Sequence, residues 1–97
     1  MADVQTQAFV SPVVGGASYA NISSSSLVKT GDGHLLGIFV ASTSAATVKV
    51  WDQTSAAVPV LVNTHTILAG WNPMPFHFKN GLYVTITGTA DMTVSFT

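Results

Sequence analysis

Read for its alternation of apolar and polar positions, the chain is a succession of short strands. In "KNGLYVTITGTADMTVSFT", Leu82, Val84 and Ile86 fall on one face and Tyr83, Thr85 and Thr87 on the other. Met92, Val94 and Phe96 repeat the pattern, with Thr93 and Ser95 opposite. Successive side chains of a strand point to opposite faces, so period-two alternation is the mark of a half-buried strand. The spacing predicts a hairpin here, with "GTAD" as its connection. Upstream, "HLLGIFVAS" (34–42) is apolar on both faces, as a central strand would be, and Gly37 marks a bulge or a close backbone approach. "STSAA" then turns the chain into "TVKVWDQ" (47–53), where Val48 and Val50 point one way and Lys49 and Trp51 the other. "PVLVNTHTIL" (59–68) and "PFHFK" (75–79) each open at a proline, which cannot donate to a ladder, and the second suits an edge. "SSLVKT" and "QAFVSPV" are weaker strand candidates.

No stretch holds apolar residues at helical spacing for three turns. About eight short strands, punctuated by Gly, Pro, Asn, Asp and Ser, predict an all-β fold: an antiparallel β-sandwich, jelly-roll-like, in one domain over 1–97. Residues 1–23 are an N-terminal arm or a swapped strand in this reading.

Composition sharpens the picture at one point. Hydrophobic residues make up 47% of the 97, yet charged residues are only 7%, against about 25% in an average soluble domain. Arg and Glu are absent altogether. A net charge of −1 with three lysines argues against nucleic acid, whose phosphates need clustered cations. The longest apolar runs, "LLGIFVA" and "AAVPVLV", are seven residues, where a membrane-spanning helix takes about 20. The start "MADVQTQAFV" has no basic stretch leading into an apolar one, so no secretory signal is expected, and with no cysteine there is no thiol chemistry.

Candidate chemistry is thin. "GDGHLLG" is one residue too long for a dinucleotide fingerprint and enters a strand, so "TGDGH" reads as a hairpin turn whose glycines supply positive φ. Asp32 and His34 share a strand face, but a zinc site would need His65 or His77 as well, so no metal is expected. There is no G-x-S-x-G elbow, and the four aspartates lie in expected turns, so no catalytic residues or cofactor are expected. The aromatic residues carry more. Trp51 and Tyr83 sit opposite the apolar rows of their strands, and Phe76 and Phe78 share a face with His77 on the other. Three fates are open to them: an inner face of a two-sheet fold, a contact between subunits, or a surface that stacks sugar rings, for which Trp71 is the candidate. Aromatic residues concentrate in the cores of interfaces, whereas Lys and Asp are depleted there. A strand face of hydroxyls in place of charges suits broad, permanent contact, because an unpaired charge is costly to desolvate.

From about residue 24 onward the chain resembles a group of small proteins encoded by tailed bacteriophages and prophages. The stretches that carry the likeness are "SSSSLVKTGDGHLLGIFVASTSAATVKVWD", "TSAAVPVLVNT" and "PMPFHFKNGLYVTITGTADMTVSF". The resemblance implies a non-enzymatic virion structural role, nearest in kind to capsid cement (decoration) proteins. These are small β-sandwich or jelly-roll modules, often trimeric, that sit at junctions between capsomers. The expected partners are then further copies of the chain, as a homotrimer, and the phage major capsid protein. The expected place is the capsid surface of a virion made in the host bacterial cytoplasm. Trp51, Phe76, Phe78 and Tyr83 are the expected subunit or capsid contacts. The alternative is a carbohydrate-binding module on a tail or fibre, with Trp71 stacking the sugar.

Overall fold

A computed structural model describes residues 17–97. These form six strands and no helix: β1 (Ser18–Ile22), β2 (Ser26–Thr30), β3 (Gly33–Trp51), β4 (Val60–Thr66), β5 (Gly70–Phe78) and β6 (Gly81–Phe96). All pairings are antiparallel and lie in one open sheet. No helix among the described residues is long and apolar enough to cross a membrane.

The sheet is organised by its two longest strands. β3 and β6 pair from Leu35↔Phe96 to Trp51↔Tyr83. Each then takes different neighbours along its two halves. β5 lies against β3 from Gly33 to Val40, and β4 against β3 from Thr47 to Trp51. On the other side, β1 lies against the end of β6 and β2 against its beginning. The first half-sheet therefore reads β1-β6-β3-β5, and the second reads β2-β6-β3-β4. Between them the ribbon is bent where the register slips between Ser44 and Thr47. Ala45 and Gly88 both have positive φ there. A Cβ on Gly88 would stand 2.9 Å from the Ala45 carbonyl oxygen, so only glycine fits this bend.

Both ends of β3 reach the connection between β5 and β6. Gly33 pairs with Phe78, while Asp52 Oδ1, just past the other end, accepts from the Lys79 and Asn80 amides at 2.8 Å each. Lys29 Nζ on β2 also donates to the Thr97 carbonyl at 3.0 Å. A straight strand of this length would hold its ends about 60 Å apart. The ribbon therefore doubles back. Its inward residues form one apolar cluster, with Leu35, Ile38, Phe78, Met92 and Val94 from the first half-sheet and Val48, Val50, Leu82 and Val84 from the second. Each such buried side chain contributes about 1.5–3 kcal/mol. No buried residue among those described is polar or charged.

Several expectations change. The stretches at 82–87 and 92–96 alternate as expected, but they are not a hairpin: β6 runs unbroken through "GTAD", and both stretches pair with β3. In the same way "STSAA" is a bend within β3. Among the described residues there are six strands, and four of the expected ones merge into β3 and β6, because Gly and Ser at a bend look like a turn in sequence. Gly31 does take positive φ, but β2 and β3 that it joins are not partners. Residues 18–22, placed in a possible arm, are a strand on their own chain's β6. "QAFVSPV" lies outside the described residues.

Candidate functional site

The structure brings Trp51 and Tyr83 together. They are direct cross-strand partners, and Leu27 continues the row on one side and Val60 on the other. Directly opposed residues share a face, so Leu27, Tyr83, Trp51 and Val60 cross all four strands of the second half-sheet on its outer side. The next row pairs Thr85 with Lys49. Trp51 Nε1 donates to Thr85 Oγ1 at 3.3 Å, and that hydroxyl donates to the Lys49 carbonyl at 3.1 Å. The Lys49 ammonium stands 4.3 Å from the centroid of the Trp51 ring, a cation–π contact. This face is thus an apolar row with one cation lying over it.

The outer face of the first half-sheet is built differently. Phe39 is opposed by Trp71 on β5 and by Thr93 on β6, and Thr93 in turn by Asn21 on β1. The neighbouring row runs Gly37, Ser95, Tyr19. Trp71 is 53% exposed, Phe39 48% and Tyr19 71%. Gly37 is buried nonetheless, because the benzo edge of the Trp71 indole lies over it. A Cβ there would be 2.6 Å from Cη2 and 2.7 Å from Cζ2 of the ring, and 2.6 Å from the Asn72 carbonyl oxygen. The close backbone approach expected at Gly37 is therefore real, and a register shift between Leu35 and Gly37 adds the bulge. The Thr93 hydroxyl donates to Asn21 Oδ1 at 2.6 Å, fixing the polar end of the row.

Phe76 and Phe78 part company. Phe78 is wholly buried and packs in the core, so it cannot contact a subunit or a shell as expected. Its two-residue spacing from Phe76 puts both on one side of β5, but only Phe78 is packed into the apolar cluster. Phe76 remains 46% exposed, at a groove of about 480 Å³ between β4 and β5. Val62 and Met74 wall that groove beside Phe76, with Asn63 and His65 as polar lining.

The histidines divide likewise. His34 and His77 are cross-strand partners with ring centroids 4.9 Å apart, and Asp32 Oδ2 lies 3.9 Å from His77 Nε2. His65 is on β4, with Nδ1 3.2 Å from the Asn63 carbonyl. Among the described residues no three His, Asp or Glu side chains are placed to hold a metal ion. Asp52 holds the β5–β6 connection through its bonds to Lys79 and Asn80.

Sequence reading passed over Leu27, Phe39 and Tyr19. Phe39 was masked by its apolar neighbours: in "HLLGIFVAS" the bulge lets Leu35 and Ile38 both turn inward at a spacing of three, which hides the alternation that leaves Phe39 outside. Compared with protein-family models, with curated proteins and with solved structures, the chain finds no match.

Proposed function

We propose that the chain is a non-enzymatic virion structural protein, a capsid cement (decoration) protein of a tailed bacteriophage that acts as a homo-oligomer, most simply a trimer, on the shell of the major capsid protein. The observation that carries the reading is the row Leu27, Tyr83, Trp51 and Val60 across the second half-sheet, with the Lys49 ammonium over the Trp51 ring. Such a row can be desolvated against another protein without stranding several charges, and buried aromatic anchors are where interface energy concentrates. The likeness to small phage proteins from residue 24 onward supplies the partner.

With it goes a finer reading of the fold, a jelly-roll sandwich. Dividing β3 at Ala45 and β6 at Gly88 gives eight segments in chain order, and the half-sheets then read 1-8-3-6 and 2-7-4-5. Interleaving of that kind is what two Greek keys produce in an eight-stranded jelly roll. The contacts that draw both ends of β3 to one connection support the stacking of the two halves. The architecture serves viral capsid proteins and lectins alike, so it does not choose a function by itself.

The mechanism is mass action. A protein that binds only the assembled shell stabilises it by about 2.7 kcal/mol per site at a free concentration of one hundred times Kd. The test is light scattering after chromatography, repeated on dilution to low micromolar, together with cosedimentation on assembled phage shells. The wild-type chain should stay oligomeric and pellet with shells, and Tyr83→Lys should weaken both. A wild-type monomer that ignores shells, or a Tyr83→Lys variant that behaves as wild type, would overturn the assignment.

A further inference from the structure

We propose that the outer face of the first half-sheet is a stacking platform for a neutral oligosaccharide, with Trp71 as the principal ring, Phe39 and Tyr19 beside it, and Ser95, Thr93 and Asn21 as the hydrogen-bonding groups. The inference does not depend on the particle-binding face, which lies on the other half-sheet.

Three features of the face point to a sugar. The first is the preparation of the principal ring. The Trp71 indole rests on the backbone at Gly37, where a side chain of any size would displace it, and half of the residue still faces water. A ring already held in place loses little conformational freedom on binding. The second is the order of groups across the strands. Trp71 and Phe39 are followed by Thr93 and Asn21 in one row, and Gly37 under the indole is followed by Ser95 and Tyr19 in the next. One row thus sets two rings beside two neutral hydrogen-bonding groups, and the next sets a serine between two rings. A pyranose has the same division, with an apolar face of C–H groups and a rim of hydroxyls that donate and accept. The Gly37 position under the indole and Tyr19 are two strand spacings apart, about 10 Å, with Ser95 between them. That distance is comparable to the span of two linked pyranose rings.

The third feature is charge. None of the six named residues is Asp, Glu, Lys, Arg or His, and Asp91, at the next outward position of β6, is the nearest charge in the register among the described residues. The site therefore favours neutral sugars over sialylated or sulfated ones, and its affinity should be insensitive to salt. Trp51 makes the contrast: its ring has the Lys49 ammonium above it, so a sugar would have to displace a cation that already holds the place.

The test uses the full chain with cellotetraose, chitotetraose and maltotetraose, read by saturation-transfer NMR and calorimetry. At least one should receive saturation at its pyranose C–H protons. Trp71→Ala should weaken that binding at least about tenfold, Tyr19→Ala about threefold, and Trp51→Ala less than about twofold. Should Trp71→Ala not fold, the wild-type spectrum decides: the sugar should shift the indole N–H signal of Trp71 and leave that of Trp51 in place. Absence of transfer to all three tetrasaccharides, or equal losses at Trp51 and Trp71, would overturn the platform. So would a drop in solution mass in Trp71→Ala with sugar binding unchanged, since that marks the face as a subunit contact.

Discussion

Each outer face carries one tryptophan, and the two are held in opposite ways. Trp51 is tied by its Nε1 to Thr85 and covered by Lys49, so its ring belongs to the fabric of the second half-sheet. Trp71 leans on a glycine and leaves half of itself in water. Alternation along a strand says which side of a sheet a residue occupies. It does not say whether the ring is still available once neighbouring strands arrive, and that depends on what stands opposite: a lysine and a threonine in one case, a glycine in the other.

The comparison presumes one folded unit beneath both faces, and the largest expected effect tests that. Phe78→Ala empties a wholly buried site and should cost about 3–5 kcal/mol. Because the core cluster spans both half-sheets, the fluorescence of the two tryptophans should be lost in a single thermal transition, at a lower temperature. Two separated transitions would make the half-sheets independent. Phe76→Ala, at an exposed position, should stay within about 0.5 kcal/mol of wild type. Gly37→Val comes next. Its side chain would collide with both the Trp71 ring and the Asn72 backbone, so about 1–3 kcal/mol should be lost to overpacking. Proton NMR should find the Trp71 signals moved and those of Trp51 unchanged. A shift at both would join the faces more closely than the register suggests.

Much of this was legible in the sequence, and the failures share a cause. Period-two alternation placed Leu82, Val84, Met92 and Val94 inside and Tyr83 and Thr85 on the outer side, because one face of each strand is buried. Gly37 announced a close approach. What alternation could not reveal was continuity. A strand that bends at Ala45 or Gly88 looks like two strands and a turn, so the hairpin at the end of the chain was expected between segments that in fact pair side by side with β3. Nor could it separate Phe76 from Phe78, which share a side of β5 and differ only in whether the core cluster packs around them. Of the candidate site, Trp51 and Tyr83 were found because their strands alternate cleanly. Phe39 was lost to a bulge, and Tyr19 to a segment whose strand has no strong pattern of its own.

The smallest effects separate the two ways of holding a ring. Thr85→Val removes the acceptor of the Trp51 indole and the donor to the Lys49 carbonyl, and should cost about 0.5–1.5 kcal/mol by chemical denaturation. Lys49→Gln removes only the cation above the ring, which at a partly exposed site is worth about 0.5–1 kcal/mol. The same variant asks what protects Trp51 from ligands. If the cap alone distinguishes the faces, Lys49→Gln should give Trp51 a measurable affinity for the tetrasaccharide that Trp71 binds. If its ring still ignores sugar, the bond to Thr85 and the crowding of Leu27, Tyr83 and Val60 around it are sufficient, and the face is shaped for a protein surface with or without its lysine. Calorimetry of that variant, with Trp71→Ala introduced beside it to silence the other face, decides between the two.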